Sequence, residues 1–242
     1  MAVNVDTVYK TVLFILNKEQ RGYMTPDEFN KVGQQVQLEI FENYFEELNQ
    51  LQRQPQTNTE FSDRVEQIQH KIALFETEGT ATYVGPFFYL PSNVHRLGTV
   101  YYNDINIIQE VQQNEFLLIN KSPLTTPTTT HPIYIQRGEH QTAAGPPPTL
   151  HEKIFVYPTS IQAGVKCNYV KTPAQITWNY SVLANGAYQF TATGSQNFEL
   201  DVSEQTDIIL KILQYSGVII RDPQIVQTAA QLVQQDTINE KS

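Results

Sequence analysis

Cysteine is almost missing from this 242-residue chain: Cys167 stands alone, which excludes an intramolecular disulfide and a cysteine-rich zinc site. Basic residues are scarce as well. Sixteen Lys and Arg against 25 Asp and Glu leave a net charge of −9, which speaks against a free-standing DNA or RNA binder. No run approaches the roughly 18 apolar residues of a membrane-spanning helix. The first twenty residues lack a basic start and a small-residue cleavage site, so no secretion signal is expected. Tryptophan occurs once, yet 13 Tyr and 12 Phe are too many for a disordered chain. The expectation is a folded, soluble protein made inside the cell.

What replaces charge is uncharged polarity. The chain holds 26 Gln and 24 Thr, about a fifth of its residues, while charged residues are only 17%. Such side chains are easier to desolvate than Lys or Glu, so a surface of this kind suits subunit contacts; the plainer reading is compositional drift of the genome.

The pattern divides into helix, strand and helix. Val5, Val8, Tyr9, Val12, Leu13 and Leu16 form one stripe of a first helix over residues 6–17. Thr25-Pro26-Asp27-Glu28 is a capping box with proline at the first helical position. It opens a long helix carrying Phe29, Val32, Val36, Ile40, Tyr44, Leu48 and Leu51, in which Gly33 marks a close helix crossing. After a polar linker at 52–59, a third helix from Ser62 carries Val65, Ile68, Ile72 and Phe75.

Between residues 80 and 200, Pro and Gly punctuate β-branched and aromatic runs at 87–90, 99–102, 116–119, 133–135, 154–157, 165–169 and 178–182, which read as strands of an antiparallel sheet or barrel. Asn185-Gly186 predicts a tight hairpin joining 177–182 to 188–191. Residues 122–132 and 138–149 read as long loops without regular structure, functional or ordered by a partner. Helix returns at Ser203, with Ile208, Ile209, Ile212 and Leu213, and again at Asp222-Pro223. The predicted fold class is α+β: a helical bundle formed by N-terminal (1–78) and C-terminal (201–242) helices, with an antiparallel β domain inserted over 79–200.

Catalytic signatures are absent. His70, His95, His131, His140 and His151 form no HExxH pair, and neither GxxxxGK[ST] nor GxGxxG occurs. His140 and His151 beside Glu139 and Glu152 read as solvated loop residues rather than a metal site, and Cys167 as a packed side chain. Glu46-Glu47 reads as a solvated helix face. No catalytic residue, metal or cofactor is expected.

Several short motifs carry a family resemblance. They are Val8-Tyr9-Lys10, the run from Leu16 through Gly22-Tyr23-Met24-Thr25-Pro26-Asp27-Glu28-Phe29-Asn30, Pro132-Ile133-Tyr134, Tyr157-Pro158, Tyr169-Val170-Lys171-Thr172-Pro173 and Trp178-Asn179-Tyr180. Phe198-Glu199-Leu200 before Ser203-Glu204, then Gly217 and Asp222-Pro223, complete the set. Together they resemble virion proteins of short-tailed, crAss-like bacteriophages, in particular head-to-tail connector proteins similar to tail tubular adaptors. The resemblance implies a non-enzymatic adaptor ring, commonly of twelve copies, made in the host cytoplasm and placed at the head–tail junction of the virion. Its implied partners are further copies of itself, the portal protein and the next neck or tail ring, with no membrane contact. Genome DNA would pass through the ring without specific binding, as an acidic wall allows. Contacts are expected at Leu124, Thr125, Thr126, Thr128, Thr129, Thr130 and His131, at Pro146, Pro147 and Pro148, and in the tail from Gln235. The alternatives are another neck ring, a carbohydrate-binding tail module using Tyr101, Tyr102 and Trp178, and a wall-degrading hydrolase whose site is assembled from distant residues.

Overall fold

The computed structural model describes residues 2–18, 23–51, 53, 64–142, 149–219, 231, 234 and 235. Two compact units divide the chain, Met1–Leu74 with Pro173–Ser242 as one and Phe75–Thr172 as the other. The first unit begins with a short strand β1 (Ala2–Val3), then α1 (Val5–Lys18), α2 (Pro26–Leu51) and α3 (Arg64–Ala73). The second holds β2 (Glu76–Thr80), β3 (Thr82–Val84), β4 (Phe87–Tyr89), β5 (Val94–Tyr102), β6 (Asn106–Glu110) and α4 (Gln113–Ile119). It closes with β7 (Ile133–Thr142), β8 (Thr149–Tyr157) and β9 (Val165–Lys171). The chain then returns to the first unit as β10 (Tyr180–Val182), β11 (Tyr188–Phe190), β12 (Phe198–Asp201), a 3-10 turn (Val202–Glu204) and α5 (Gln205–Ile219).

Local signals account for the helix starts. Asn4 caps α1, its Oδ1 accepting from the Asp6 and Thr7 amides at 2.9 and 3.0 Å. The capping box of α2 is closed in both directions: the Thr25 amide donates to Glu28 Oε2 at 2.8 Å, and the Glu28 amide to Thr25 Oγ1 at 3.4 Å. Val5, Val8, Tyr9, Val12 and Leu16 of α1 are buried, with Phe29, Val36, Ile40 and Tyr44 of α2.

A second, polar stripe on α2 does something the apolar one does not. Asn30, Gln34 and Gln37 sit at positions i, i+4 and i+7, on one face of the helix. The Trp178 amide donates to Asn30 Oδ1 at 2.7 Å, and Asn30 Nδ2 donates to the Trp178 carbonyl at 3.3 Å. The Ile176 amide donates to Gln34 Oε1 at 3.0 Å. Gln37, fully buried, donates to the Ala174 carbonyl at 2.8 Å and accepts from the Glu199 amide at 3.0 Å. Three carboxamides thus stand in for a neighbouring strand, reading every second residue of an extended segment that runs antiparallel to the helix. From Asn30 to Gln34 the spacing works because four helical residues rise about 6 Å, close to the roughly 6.6 Å spanned by two extended ones, and the reach of the glutamine side chains takes up the shorter three-residue step to Gln37. Gly33 lies inside this stripe, and a Cβ there would stand 2.7 Å from Ile176 Cδ1. The close approach expected at Gly33 is therefore made by an extended segment.

The same unit is tied elsewhere by ion pairs. Lys71 of α3 bonds Glu204, and the half-buried Glu39 of α2 takes Lys211 Nζ at 2.6 Å and the Tyr215 hydroxyl at 3.2 Å, both from α5. β1 pairs antiparallel with β12, whose Phe198 and Leu200 are fully buried.

The second unit is one eight-stranded sheet in the order β2-β9-β5-β6-β7-β8-β4-β3. Its first and last strands are separated in sequence by Ala81 alone, so the sheet must curl until its ends meet, as a nearly closed barrel. Two corners make the curl. Residues 76–84 pair with β9 through β2 and with β4 through β3, and Ala81, buried at the pivot, gives its amide to the Val165 carbonyl at 3.0 Å. Likewise β6 pairs antiparallel with β5 at Asn106–Ile108 and parallel with β7 at Gln109 and Glu110. The interior is filled by Phe88, Leu90, Val100, Ile108, Tyr134, Ile154, Val156, Val165, Cys167 and Tyr169. A second cluster outside the barrel packs α4 against β7, with Phe116 on Tyr157 at 4.3 Å between ring centres.

The fold class expected from sequence is thereby corrected. The chain is a mixed α/β protein whose largest element is a barrel-like sheet of eight strands, with five α-helices among the described residues, rather than a helical bundle carrying an antiparallel insertion. Two causes account for it. Strand β2 (Glu76–Thr80) carries no apolar residue, β3 and β6 are short runs outside the segments expected as strands, and the β6–β7 contact is parallel, which makes the sheet mixed. Two local expectations change too. Residues 116–119 are helical in α4, an apolar run too short for periodicity to separate helix from strand. Much of the supposed loop at 138–149 is strand, since β7 runs to Thr142 and β8 starts at Thr149. The helix expected from Asp222 and the linker at 54–59 lie outside the described residues.

Replacing Gln37 with Ala strands the Ala174 carbonyl and the Glu199 amide without partners. It should cost about 3 kcal/mol of stability in urea unfolding, whereas Gln35→Ala, on the exposed face of the same helix, should leave the midpoint unchanged.

Candidate assembly surfaces

Leu124 is the most exposed large apolar side chain described, 97% open to solvent. It sits in the segment 120–132, between α4 and β7, and that segment is built to hold it there. Thr125 Oγ1 donates to the Ile119 carbonyl at 2.7 Å, and Thr126 Oγ1 to the Ser122 carbonyl at 3.0 Å. Thr128 and His131 exchange backbone bonds at 3.3 and 3.2 Å, and the Thr128 and Thr130 hydroxyls lie 2.9 Å apart. Threonine hydroxyls close these turns because each can return to a nearby carbonyl. The far end of the segment lies along β6, where Asn106 Nδ2 donates to the Thr129 carbonyl at 3.4 Å and the Gln109 amide to the Pro132 carbonyl at 3.2 Å. Residues 122–132 are thus ordered by their own bonds, where composition suggested ordering by a partner. Leu124, Thr125, Thr126, Thr128, Thr129, Thr130 and His131 are all exposed. Pro146, Pro147 and Pro148 lie outside the described residues, as does the whole tail beyond Gln235.

A second apolar patch on the same unit was not legible as a surface. Ile105 and Ile107, 82% and 69% exposed, lie at the end of the β5–β6 turn and in β6, just after Asn103 and Asp104, which take left-handed φ of 52° and 59°. The signal that could have found it is Asn103-Asp104 between alternating apolar residues, a two-residue hairpin turn. Beside the two isoleucines, Lys166 Nζ bridges Asp104 at 2.8 Å and Glu78 at 3.3 Å, and Tyr101 completes a shallow open depression.

The outer arm of β7 and β8 separates the residues once weighed as metal ligands. Glu139 pairs with Glu152 and His140 with His151 across the ladder, and because successive strand residues alternate faces, carboxylates and imidazoles point to opposite sides. The His140 ring packs 5.0 Å from Phe87, and His151 lies 4.9 Å from Tyr89, with its Nδ1 donating to the Leu90 carbonyl at 2.7 Å. Among the described residues no group of three His, Cys, Asp or Glu is placed to hold a metal. Cys167 is wholly buried in the barrel, where desolvation pushes its thiol up to about 11.

The carbohydrate-binding alternative loses its platform. Trp178 is 3% exposed, sandwiched near Tyr9, Tyr180 and Phe190, with its indole N–H donated to Asp6 Oδ1 at 3.1 Å. Tyr101 and Tyr102 are consecutive strand residues on opposite faces, and Tyr102 packs against the barrel interior. No helix among the described residues is long and apolar enough to cross a membrane. No known family model matches the chain, and no curated protein matches it.

Desolvation, and then the Glu139 carboxylate opposite, raise the Glu152 carboxyl above its ordinary value of 4.5, while Gln136 Nε2 donates to it at 3.0 Å. A carboxyl whose folded value is raised holds its proton more firmly in the fold than in the open chain. Its ionisation therefore costs stability at neutral pH, and that cost disappears below the ordinary value. Glu152→Gln should raise the thermal midpoint at pH 7, and the difference from the parent should shrink to nothing as pH falls through the carboxylate range.

Proposed function

We propose that the chain is a non-enzymatic structural subunit of a multi-copy assembly, and specifically an adaptor ring at the head-to-tail junction of a short-tailed phage virion, joining the portal to the tail around the DNA channel. The observation that carries this reading is Leu124. A leucine almost fully in water, on a loop whose hydroxyls fasten it in place, presents apolar area whose cover by a neighbour would be favourable at roughly 25 cal/mol per Å². Exposed Leu117 and Leu118 precede it in the chain, and Ile105 and Ile107 stand on the same barrel unit. The motif resemblance to connector proteins supplies the place in the virion. A net charge of −9 supports a wall along which DNA slides without sticking.

On this reading the 122–131 loop meets the portal or the adjoining ring. Mixing the purified chain with the portal protein of the same phage and measuring mass should give a joint, ring-sized species. Leu124→Lys should keep the unfolding free energy within about half a kcal/mol of the parent, as an exposed substitution does, and fail to join the portal. A variant that joins as well as the parent would contradict the role of this loop, and a parent chain indifferent to the portal would contradict the connector reading.

A further inference from the structure

The stretch from residue 172 to residue 198 contains no Asp, Glu, Lys, Arg or His. At the chain's average of 17% charged residues, 27 positions would carry four or five. Within it lies the β10–β11 hairpin, in register Tyr180↔Phe190, Ser181↔Gln189 and Val182↔Tyr188. The turn follows Asn185-Gly186, with Gly186 at φ +81° and the Leu183 amide donating to the Ala187 carbonyl at 2.9 Å. Below it the Thr191 amide donates to the Asn179 carbonyl at 2.9 Å.

Because antiparallel pairs alternate, these two bonds place Val182↔Tyr188 and Tyr180↔Phe190 in non-hydrogen-bonded positions. The backbone groups of those four residues point to the two outer edges of the hairpin, where, among the described residues, the Tyr180 amide alone is answered, by its neighbour Asn179 Oδ1. The four side chains share one face. Its root is covered, with Tyr180 and Phe190 against Trp178 at 5.9 and 5.7 Å, and its outer half is open, with Val182 62% exposed beside Leu183 and Tyr188. Natural edge strands are guarded by shortness, charged residues, proline or a bulge, and of these β10 and β11 have only their three-residue length. This pair has a regular register and carries no charged residue and no proline.

We propose that the β10–β11 hairpin is the surface through which one copy of the chain binds a second copy, edge strand to edge strand. The inference rests on the reading of the chain as an assembly subunit and names its copy-to-copy contact. Charge selects the occupant. Two chains of net charge −9 repel over most of their surfaces and can approach at a charge-free segment, which confronts its own copy with no like charge and offers a nucleic acid no cation. An apolar half-face this small falls short of the roughly 800 Å² per partner of a stable binary complex. The contact is therefore weak pairwise and gains strength when each copy meets two neighbours in a closed ring.

Sedimentation velocity of the full chain over rising concentration tests this directly. The parent should associate reversibly. Val182→Lys with Leu183→Lys should keep the near-UV circular dichroism of the parent while raising the concentration needed for association about tenfold or more. Val182→Lys alone should act in the same direction, and Leu124→Lys should associate like the parent. Two results would overturn the proposal: association of the double variant at parental concentrations, or a parent that stays monomeric at every concentration. If such a monomer still joins the portal, only this contact fails; if it does not, the assembly reading fails with it.

Discussion

The first unit depends on one device, the row of carboxamides that α2 turns toward an extended chain. An extended segment outside a sheet must find partners for its amides and carbonyls, and burial without them costs about as much as a lost hydrogen bond for each. Asn30, Gln34 and Gln37 supply those partners from a helix, with Gly33 removed from the way of Ile176. The elements next to that segment are placed by it. Trp178 is pinned between Asn30 and Asp6, Glu199 is fixed by Gln37, and the hairpin rises from Trp178 with half its apolar face covered. Two strands alone are marginal in water, so the hairpin stands because its root is held.

The barrel unit solves the same accounting problem differently. Its strands change partners at two corners, residues 76–84 and β6, so the sheet closes on itself. The small side chain of Ala81 lets the chain turn inside the packed interior. Where closure leaves β6 lightly paired, the threonine-rich segment lies along it, and the same segment carries Leu124 outward.

Helix starts and apolar stripes were legible because they are local: Thr25 and Glu28 close their box within four residues, and the stripe of α1 needs only its own periodicity. The Asn185-Gly186 hairpin was legible for the same reason. Topology was not. The corner at Ala81 and the parallel β6–β7 contact are long-range, and no pattern in Glu76–Thr80 announces a strand. Gln34 and Gln37 were counted in the sequence as part of an uncharged surface, yet Gln37 is buried; a carboxamide reads alike whether it faces water or a backbone. Of the candidate contact residues, exposure of the 124–131 segment follows from its composition, whereas its internal bonding does not.

Backbone hydrogen exchange of the chain, free and within the proposed assembly with copies of itself and the portal, tests the central claim most directly. The account predicts new protection at the amides of Val182, Tyr188 and the segment around Leu124, with the barrel strands and the amides held by Asn30, Gln34 and Gln37 equally slow in both states. Unchanged exchange at the hairpin and the loop, with protection appearing elsewhere, would contradict it.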